Sequence, residues 1–86
     1  GNDFANGNQG TDWVDGGDGD DVLHGGKDDD TVKGGTGSDE LFGDLGNDIV
    51  CGNADGDFLY GNQGDDSLDG GDGNDMLWGG KDNDIL

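Results

Sequence analysis

The sequence predicts an all-β fold, a solenoid of short parallel strands in which each turn of the chain stacks on the turn before it. Three observations support this prediction. A nine-residue repeat runs through residues 1–86, glycine and aspartate return at fixed positions in it, and an aliphatic side chain recurs at one position. Such periods are typical of β-helices, where each copy buries its apolar side chain against its neighbours.

The repeat keeps one frame from Gly7 onward, after a partial copy at residues 1–6. Position eight is valine or leucine, except for Ala5 in the partial copy. Position one is glycine at Gly7, Gly16, Gly25, Gly34, Gly43, Gly52, Gly61, Gly70 and Gly79. Position six is aspartate at Asp3, Asp12, Asp21, Asp30, Asp39, Asp48, Asp57, Asp66, Asp75 and Asp84. Because residues 7–33 resemble residues 61–86, we expect a single array that is an excerpt of a longer one.

Each copy divides into a turn at positions one to six and a short strand at positions seven to nine. Glycine suits a tight turn because it adopts positive φ and lets backbones approach closely. The aliphatic residue at position eight points inward, between two residues that point outward. Such short strands become stable only when they stack on identical neighbours, about 4.8 Å apart, into parallel ladders.

The composition indicates that apolar burial alone does not stabilise a fold of this array. Only 27% of the residues are hydrophobic, and 22 acidic residues against three lysines give a net charge of −19. Chains of this kind are usually disordered, because they bury too little apolar surface to offset chain entropy. Cys51 is the only cysteine, so no disulfide framework is available within these residues. Three possibilities therefore remain: a metal stabilises the fold, a partner stabilises it, or the chain is disordered.

The acidity also limits the partners. Nucleic acid is excluded because phosphates would be repelled. No apolar run approaches the roughly 20 residues that span a bilayer, so no membrane span is predicted.

Parallel stacking places each position-six carboxylate near its counterpart in the next turn, where the negative charges repel. A divalent cation between them turns this repulsion into attraction. Ca²⁺ takes six to eight oxygen ligands, which carboxylates and main-chain carbonyls supply. Mg²⁺ tolerates such flexible geometry poorly, and Zn²⁺ prefers clusters of cysteine and histidine. The pattern therefore favours Ca²⁺.

The frame resembles GGxGxDxUx, the calcium-binding nonapeptide of the RTX (repeats-in-toxin) family, over the whole chain. This resemblance implies a right-handed parallel β-roll of about ten half-turns, with two short-stranded sheets and Ca²⁺ between successive loops on each edge. It implies one carboxylate ladder of Asp12, Asp30, Asp48, Asp66 and Asp84, and another of Asp3, Asp21, Asp39, Asp57 and Asp75. Main-chain carbonyls from positions one to four complete the shells, among them those of Gly10, Gly19, Gly37, Gly46, Gly64 and Gly73. Four gaps on each edge allow up to about eight ions.

Some copies depart from this pattern. Asn8, Asp44, Asn53 and Asn62 replace glycine at position two, where asparagine and aspartate tolerate a left-handed backbone. Asp28, Asp55 and Asp82 replace glycine at position four. We expect these three aspartates either to strain their turns or to add side-chain ligands.

Other site types fit poorly. An EF-hand starting at Asp29 would place Thr31 and Lys33 at ligand positions. His24 is the only histidine and is expected to be an outward, solvated imidazole, while Cys51 is expected to be a free outward thiol. No nucleophile with a base and an orienting group can be assembled, so the chain is not expected to be an enzyme.

If successive repeats alternate between two sheets, most aromatic residues fall on one outer face. The candidate interface residues on this face are Phe4, Phe42, Phe58, Tyr60, Met76 and Trp78. Exposed apolar patches often mark interfaces, although aromatic residues also favour strands in general. Contact with a partner, a flanking domain or a second copy is therefore one hypothesis for this face.

The family resemblance implies a Ca²⁺-dependent folding module of a secreted or cell-surface protein, exported unfolded through a type I channel. One alternative is an extracellular fibre, adhesin or surface-layer component that assembles through the aromatic face or the uncapped ends. Another is the repeat domain of a secreted protease, lipase or toxin whose catalytic domain lies elsewhere.

Overall fold

The structure, a computed structural model, describes residues 3–86, and all regular structure in this range is β-strand. The strands are β1 (Phe4–Asn6), β2 (Trp13–Asp18), β3 (Val22–Gly26), β4 (Thr31–Thr36), β5 (Glu40–Leu45), β6 (Ile49–Asn53), β7 (Phe58–Gln63), β8 (Ser67–Asp69) and β9 (Met76–Lys81). Within residues 3–86 there is accordingly no apolar helix of membrane-spanning length.

Successive strands alternate between two parallel sheets. The odd-numbered strands form a sheet in the order β1-β3-β5-β7-β9, and the even-numbered strands form one in the order β2-β4-β6-β8. Each residue pairs with the residue two repeats later, as Leu23 does with Leu41 and Leu41 with Leu59. A bridge from Ser67 to Ile85 continues the even sheet. The all-β, parallel β-roll prediction is confirmed.

The core is the column of position-eight side chains between the two sheets. Leu23, Val32, Leu41, Val50 and Leu59 are completely buried. Val14 and Leu68 are buried near the two ends of the column, with Ala5 and Leu77 packed against it. One aliphatic side chain per nine residues is a thin core for a chain that must order so much backbone. The loops therefore have to contribute to stability.

The turns depend on left-handed backbone at two positions of each copy. Position two has positive φ throughout the described copies, including Asn8 at 73°, Asp44 at 74° and Asn53 at 80°. Position four also has positive φ, for example 113° at Gly37 and 76° at Asp28. The expectation that asparagine and aspartate adopt a left-handed backbone at position two is confirmed. Position one does not have positive φ, so its glycine requires another explanation.

Candidate metal centre

The loops lie along two edges of the roll. The first edge carries loops 7–12, 25–30, 43–48, 61–66 and 79–84, and the second edge carries loops 16–21, 34–39, 52–57 and 70–75. We call the space between two consecutive loops of one edge an interval. The described loops enclose four intervals on the first edge and three on the second. An eighth interval would involve Gly1 and Asn2, which lie outside the described residues.

Each position-six aspartate ends a loop and turns its carboxylate into the roll. Six of these side chains are almost fully buried, and each is at most 2% exposed: Asp21, Asp30, Asp39, Asp48, Asp57 and Asp66. Asp12, Asp75 and Asp84 are half-buried near the ends, and Asp3 is exposed. Burying a carboxylate is costly unless both of its oxygens find partners.

One carboxylate oxygen is used within the protein. Oδ1 of each aspartate accepts the main-chain N–H of the aspartate 18 residues earlier, as Asp48 Oδ1 does from Asp30 N at 2.8 Å. Along the first edge these bonds join Asp12, Asp30, Asp48, Asp66 and Asp84 in turn. Along the second edge they join Asp3, Asp21, Asp39, Asp57 and Asp75. The two predicted ladders thus exist as hydrogen-bonded columns.

The other carboxylate oxygen has no partner. Among residues 3–86, the buried Oδ2 atoms without a hydrogen-bond partner are those of Asp12, Asp21, Asp30, Asp39, Asp48, Asp57 and Asp66. Each of these seven aspartates ends a loop on which a further described loop is stacked. Each of the seven described intervals therefore contains one such oxygen. A buried charged oxygen left unpaired is strongly unfavourable. Each interval therefore provides a negative oxygen that needs a positive partner.

A main-chain carbonyl lies next to the unpaired carboxylate oxygen. A Cβ atom built on Gly25 would lie 2.9 Å from Asp30 Oδ2 and 2.9 Å from the Gly43 carbonyl oxygen. At Gly7 the corresponding distances are 2.8 Å to Asp12 Oδ2 and 2.6 Å to the Gly25 carbonyl. Position one is therefore glycine because a side chain would fill the space where these oxygens converge. Oxygens alone, from carboxylate and carbonyl, are the donors that Ca²⁺ prefers.

The position-four carbonyls that the sequence singled out also face the intervals where their surroundings are described. The Gly19 carbonyl points at Gly37 in the next loop, and the Gly46 carbonyl points at Gly64. A carbonyl ligand stays a prediction for all six glycines, namely Gly10, Gly19, Gly37, Gly46, Gly64 and Gly73. Sequence reasoning named no individual carbonyl at position one, although those atoms lie beside Oδ2. The regular glycine at that position was the only available signal.

The three position-four aspartates have a role that neither expectation included. Asp28 Oδ2 accepts the main-chain N–H of Gly10 at 2.9 Å, and Asp55 Oδ2 accepts that of Gly37 at 2.9 Å. Asp82 does the same for Gly64 at 3.2 Å. Where position four of the next loop is glycine, the same N–H binds a main-chain carbonyl instead, as Gly19 N does with Thr36 O at 2.9 Å. Each aspartate therefore ties its loop to the loop before it.

Burial changes the proton affinity of the ladder. Desolvation raises the pKa of Asp48 from 3.8 to about 7 and that of Asp39 to about 6, although a main-chain hydrogen bond lowers each in part. Neighbouring carboxylates of the same edge raise both pKa values further. Burial likewise raises the pKa of Asp30, Asp57 and Asp66. When no cation is bound, these buried carboxylates are neutralised by protonation instead.

The candidate interface residues all lie on the outer face of the odd sheet, as predicted. Phe4 is 72% exposed, Met76 48%, Trp78 46% and Phe58 41%. Phe42 and Tyr60 are half-buried because their rings stack in parallel, 4.9 Å apart. Whether this face forms an interface stays a prediction.

The expectation of a solvated imidazole at His24 needs correction. His24 does point outward, but its ring stacks on Phe42 at 4.4 Å, and its Nδ1 lies 3.0 Å from Asp44 Oδ2. Cys51 is a half-buried free thiol whose pKa is raised, mainly by burial.

Among residues 3–86, no group of three or more His, Cys, Asp or Glu side chains is placed to hold a metal by itself. The oxygens instead come from one carboxylate ladder and the carbonyls of stacked glycine loops. Their donor type fits a hard cation, and the unpaired Oδ2 atoms supply the charge to hold it. Fold and site together define a parallel β-solenoid with candidate cation sites along its loop edges.

A family comparison agrees with this assignment. The sequence profile described as RTX calcium-binding nonapeptide repeat (4 copies) matches residues 1–32, 15–50, 24–59 and 52–86. The chain belongs to this family, whose repeats bind Ca²⁺. No curated protein and no solved structure gives a match to the chain.

Without metal, folding of this chain should be favoured by acid. The raised carboxyl pKa values mean that their contribution to folding is fully present below pH 3.8 and is lost as the pH rises through about 7. Far-UV circular dichroism of the calcium-free chain should therefore show more β-structure at pH 5 than at pH 8. With Ca²⁺ present, the concentration needed for half-saturation should increase as the pH falls below about 7, since protons compete for the same oxygens. Metal-free β-structure that increased with pH would contradict this assignment.

Proposed function

We propose that this chain is a calcium-responsive folding module of an exported protein. The observation that carries the proposal is the set of buried, unpaired Oδ2 atoms, one in each described interval. Without a cation these oxygens destabilise the roll, and with one they hold consecutive loops together. Calcium binding and folding are therefore coupled in this proposal.

The charge of the chain supports the same mechanism. A net charge of −19 repels itself in any compact state. Seven divalent ions, one per described interval, would contribute about +14 and neutralise most of this charge. The metal-free chain is then extended and the calcium-loaded chain compact.

Such a switch suits secretion. Cytosolic calcium is low, so the chain stays unfolded and can pass through a narrow type I export channel. Outside the cell, calcium in the millimolar range drives folding. Affinities of about 10⁻⁴–10⁻³ M, typical of extracellular calcium modules, would separate the two states. Any catalytic domain of a secreted protease, lipase or toxin would lie outside these 86 residues.

The Asp48→Asn substitution tests the role of the unpaired oxygen. It keeps Oδ1 as the acceptor for Asp30 N–H but replaces the negative oxygen by a neutral amide group. Calcium affinity measured by isothermal titration calorimetry should fall by about tenfold or more at this interval, equivalent to about 1.4 kcal/mol.

The matched control is Asp72→Asn, which makes the same charge change at an exposed side chain in a loop of the second edge. Its calcium affinity should stay close to that of the parent chain. An equal loss in both variants would mean that only net charge matters, and the proposal for the ladder would be wrong.

A second candidate function is assembly of copies through the outer face of the odd sheet. The observation that favours it is the exposure of Phe4, Phe58 and Met76 on a face where, at positions seven and nine, only His24 and Glu40 can carry a charge near neutral pH. A second copy could approach this face without meeting the acidic loops. It ranks second because the stacked rings of Phe42 and Tyr60 already cover one another.

Sedimentation velocity in millimolar Ca²⁺ tests this second candidate. The parent chain should sediment faster as its concentration increases, and a Phe58→Ser, Met76→Ser double variant should remain monomeric. Neither substitution touches the ring stack or the carboxylate ladders. A parent chain that is monomeric at all concentrations would exclude assembly through this face.

A further inference from the structure

The two edges of the roll differ in how much holds them together without metal. On the first edge, position-five side chains form a second ladder. Asn47 N donates to Asp29 Oδ1 at 2.8 Å, Asp65 N to Asn47 Oδ1 at 2.8 Å, and Asn83 N to Asp65 Oδ1 at 2.9 Å. These three consecutive bonds join the four loops between residues 25 and 84, and none of them requires a cation.

Within the described residues, the second edge lacks a continuous ladder of this kind. Loops 16–21 and 34–39 are joined by Ser38 N, which donates to Asp20 Oδ1 at 2.9 Å, and by Thr36 Oγ1, which donates to Asp18 Oδ1 at 2.7 Å. Loops 34–39 and 52–57 are joined by Gly37 N, which donates to Asp55 Oδ2 at 2.9 Å. Gly56 has no side chain to offer the next loop. Between loops 52–57 and 70–75, the remaining links are the ladder bond from Asp57 N and a main-chain bond from Asp72 N to Asn53 O.

Ring stacking reinforces the same four loops. His24, Phe42, Tyr60 and Trp78 stand directly before loops 25–30, 43–48, 61–66 and 79–84. Their rings stack in one column with centroids 4.4, 4.9 and 5.0 Å apart and planes within 7° of parallel. The residues that precede the loops of the second edge are Asp15, Lys33, Cys51 and Asp69, which form no such column.

Polar contacts beside the stack add to it. Asp44 lies in the first edge, at position two of its loop, where its Oδ2 is 3.0 Å from His24 Nδ1. Its Oδ1 accepts from Asn62 Nδ2 at 3.3 Å. Side-chain hydrogen bonds to the main chain and polar side-chain pairs also occur between some loops of the second edge. The unbroken position-five ladder and the ring column are found only between the first-edge loops from residue 25 to residue 84, within the part of the chain that the structure describes.

From this asymmetry we propose that calcium enters the roll in two stages, first in the three first-edge intervals between residues 25 and 84 and then along the second edge. The proposal rests on calcium binding by the position-six ladders. When a loop orders around the ion, these additional contacts offset part of the conformational entropy that the loop loses, so the site binds at a lower Ca²⁺ concentration. The interval between Asp57 and Asp75 fills last, because it has the fewest links.

Nuclear magnetic resonance resolves the two edges with Ca²⁺ itself as the probe. The main-chain amides of Asp30 and Asp48 report on the first edge, and those of Asp39 and Asp57 report on the second. In a ¹⁵N-labelled chain, the first-edge amides should reach their folded positions at a several-fold lower Ca²⁺ concentration. A single step shared by all four amides would overturn the two-stage proposal. Amides that ignore Ca²⁺ altogether would instead refute calcium-coupled folding.

A pair of matched variants tests the position-five ladder. Asn47→Ala removes the acceptor for Asp65 N, whereas Asn74→Ala makes the same change at position five of the second edge, where the side chain accepts no N–H within residues 3–86. Asn47→Ala should raise the half-saturation concentration of the first-edge amides several-fold, and Asn74→Ala should leave it unchanged. Asn47→Asp, which keeps the acceptor, should restore the parent value. Equal shifts in the two alanine variants, or no shift in either, would overturn the proposal.

Discussion

The structure depends on the different roles of the two oxygen atoms in one carboxylate group. From Asp21 onward, Oδ1 of each position-six aspartate accepts a main-chain N–H from the turn before. In the aspartates that have a further loop stacked on their own, Oδ2 is buried without a hydrogen-bond partner. The first contact sets the spacing of the loops, and the second makes that spacing unfavourable unless a cation is present. Position-one glycine follows from the same geometry, because any side chain there would occupy the space of Oδ2 and the neighbouring carbonyl. Fold and metal site are therefore one arrangement.

Because the apolar core is small, the stability of the fold depends strongly on the carboxylate loops. One valine or leucine per repeat lies between the sheets, so apolar burial contributes little compared with a typical domain. An ordinary globular protein tolerates the loss of one ion, because its core keeps it folded. In this roll the loops would supply the stability that the core lacks, and under the proposed function calcium would therefore stabilise the whole fold. The same dependence would let a low-calcium compartment keep the chain unfolded.

The periodicity of the sequence was enough to predict short stacked parallel strands and an aliphatic core, and the family resemblance implied the two sheets and the two aspartate ladders. Residues 18 apart must stack once two repeats make a turn, and Leu23, Leu41 and Leu59 do so. Periodicity identifies neighbouring residues, but it does not tell which atom of a side chain faces which group. For that reason the bond from Asp28 to Gly10 and the pairing of His24 with Asp44 were not foreseen. The difference between the edges also depends on side-chain directions at position five, where the sequence varies.

The central claim is that Ca²⁺, by pairing the buried carboxylate oxygens, converts this chain from a coil to a β-roll. The most direct measurement is far-UV circular dichroism during a Ca²⁺ titration from chelator to 10 mM at pH 7.5, with Mg²⁺ as the control ion. The account predicts a coil spectrum in chelator, a transition to β-structure in the millimolar range or below, and little change with Mg²⁺. A chain with the same β-structure in chelator as in Ca²⁺ would contradict it.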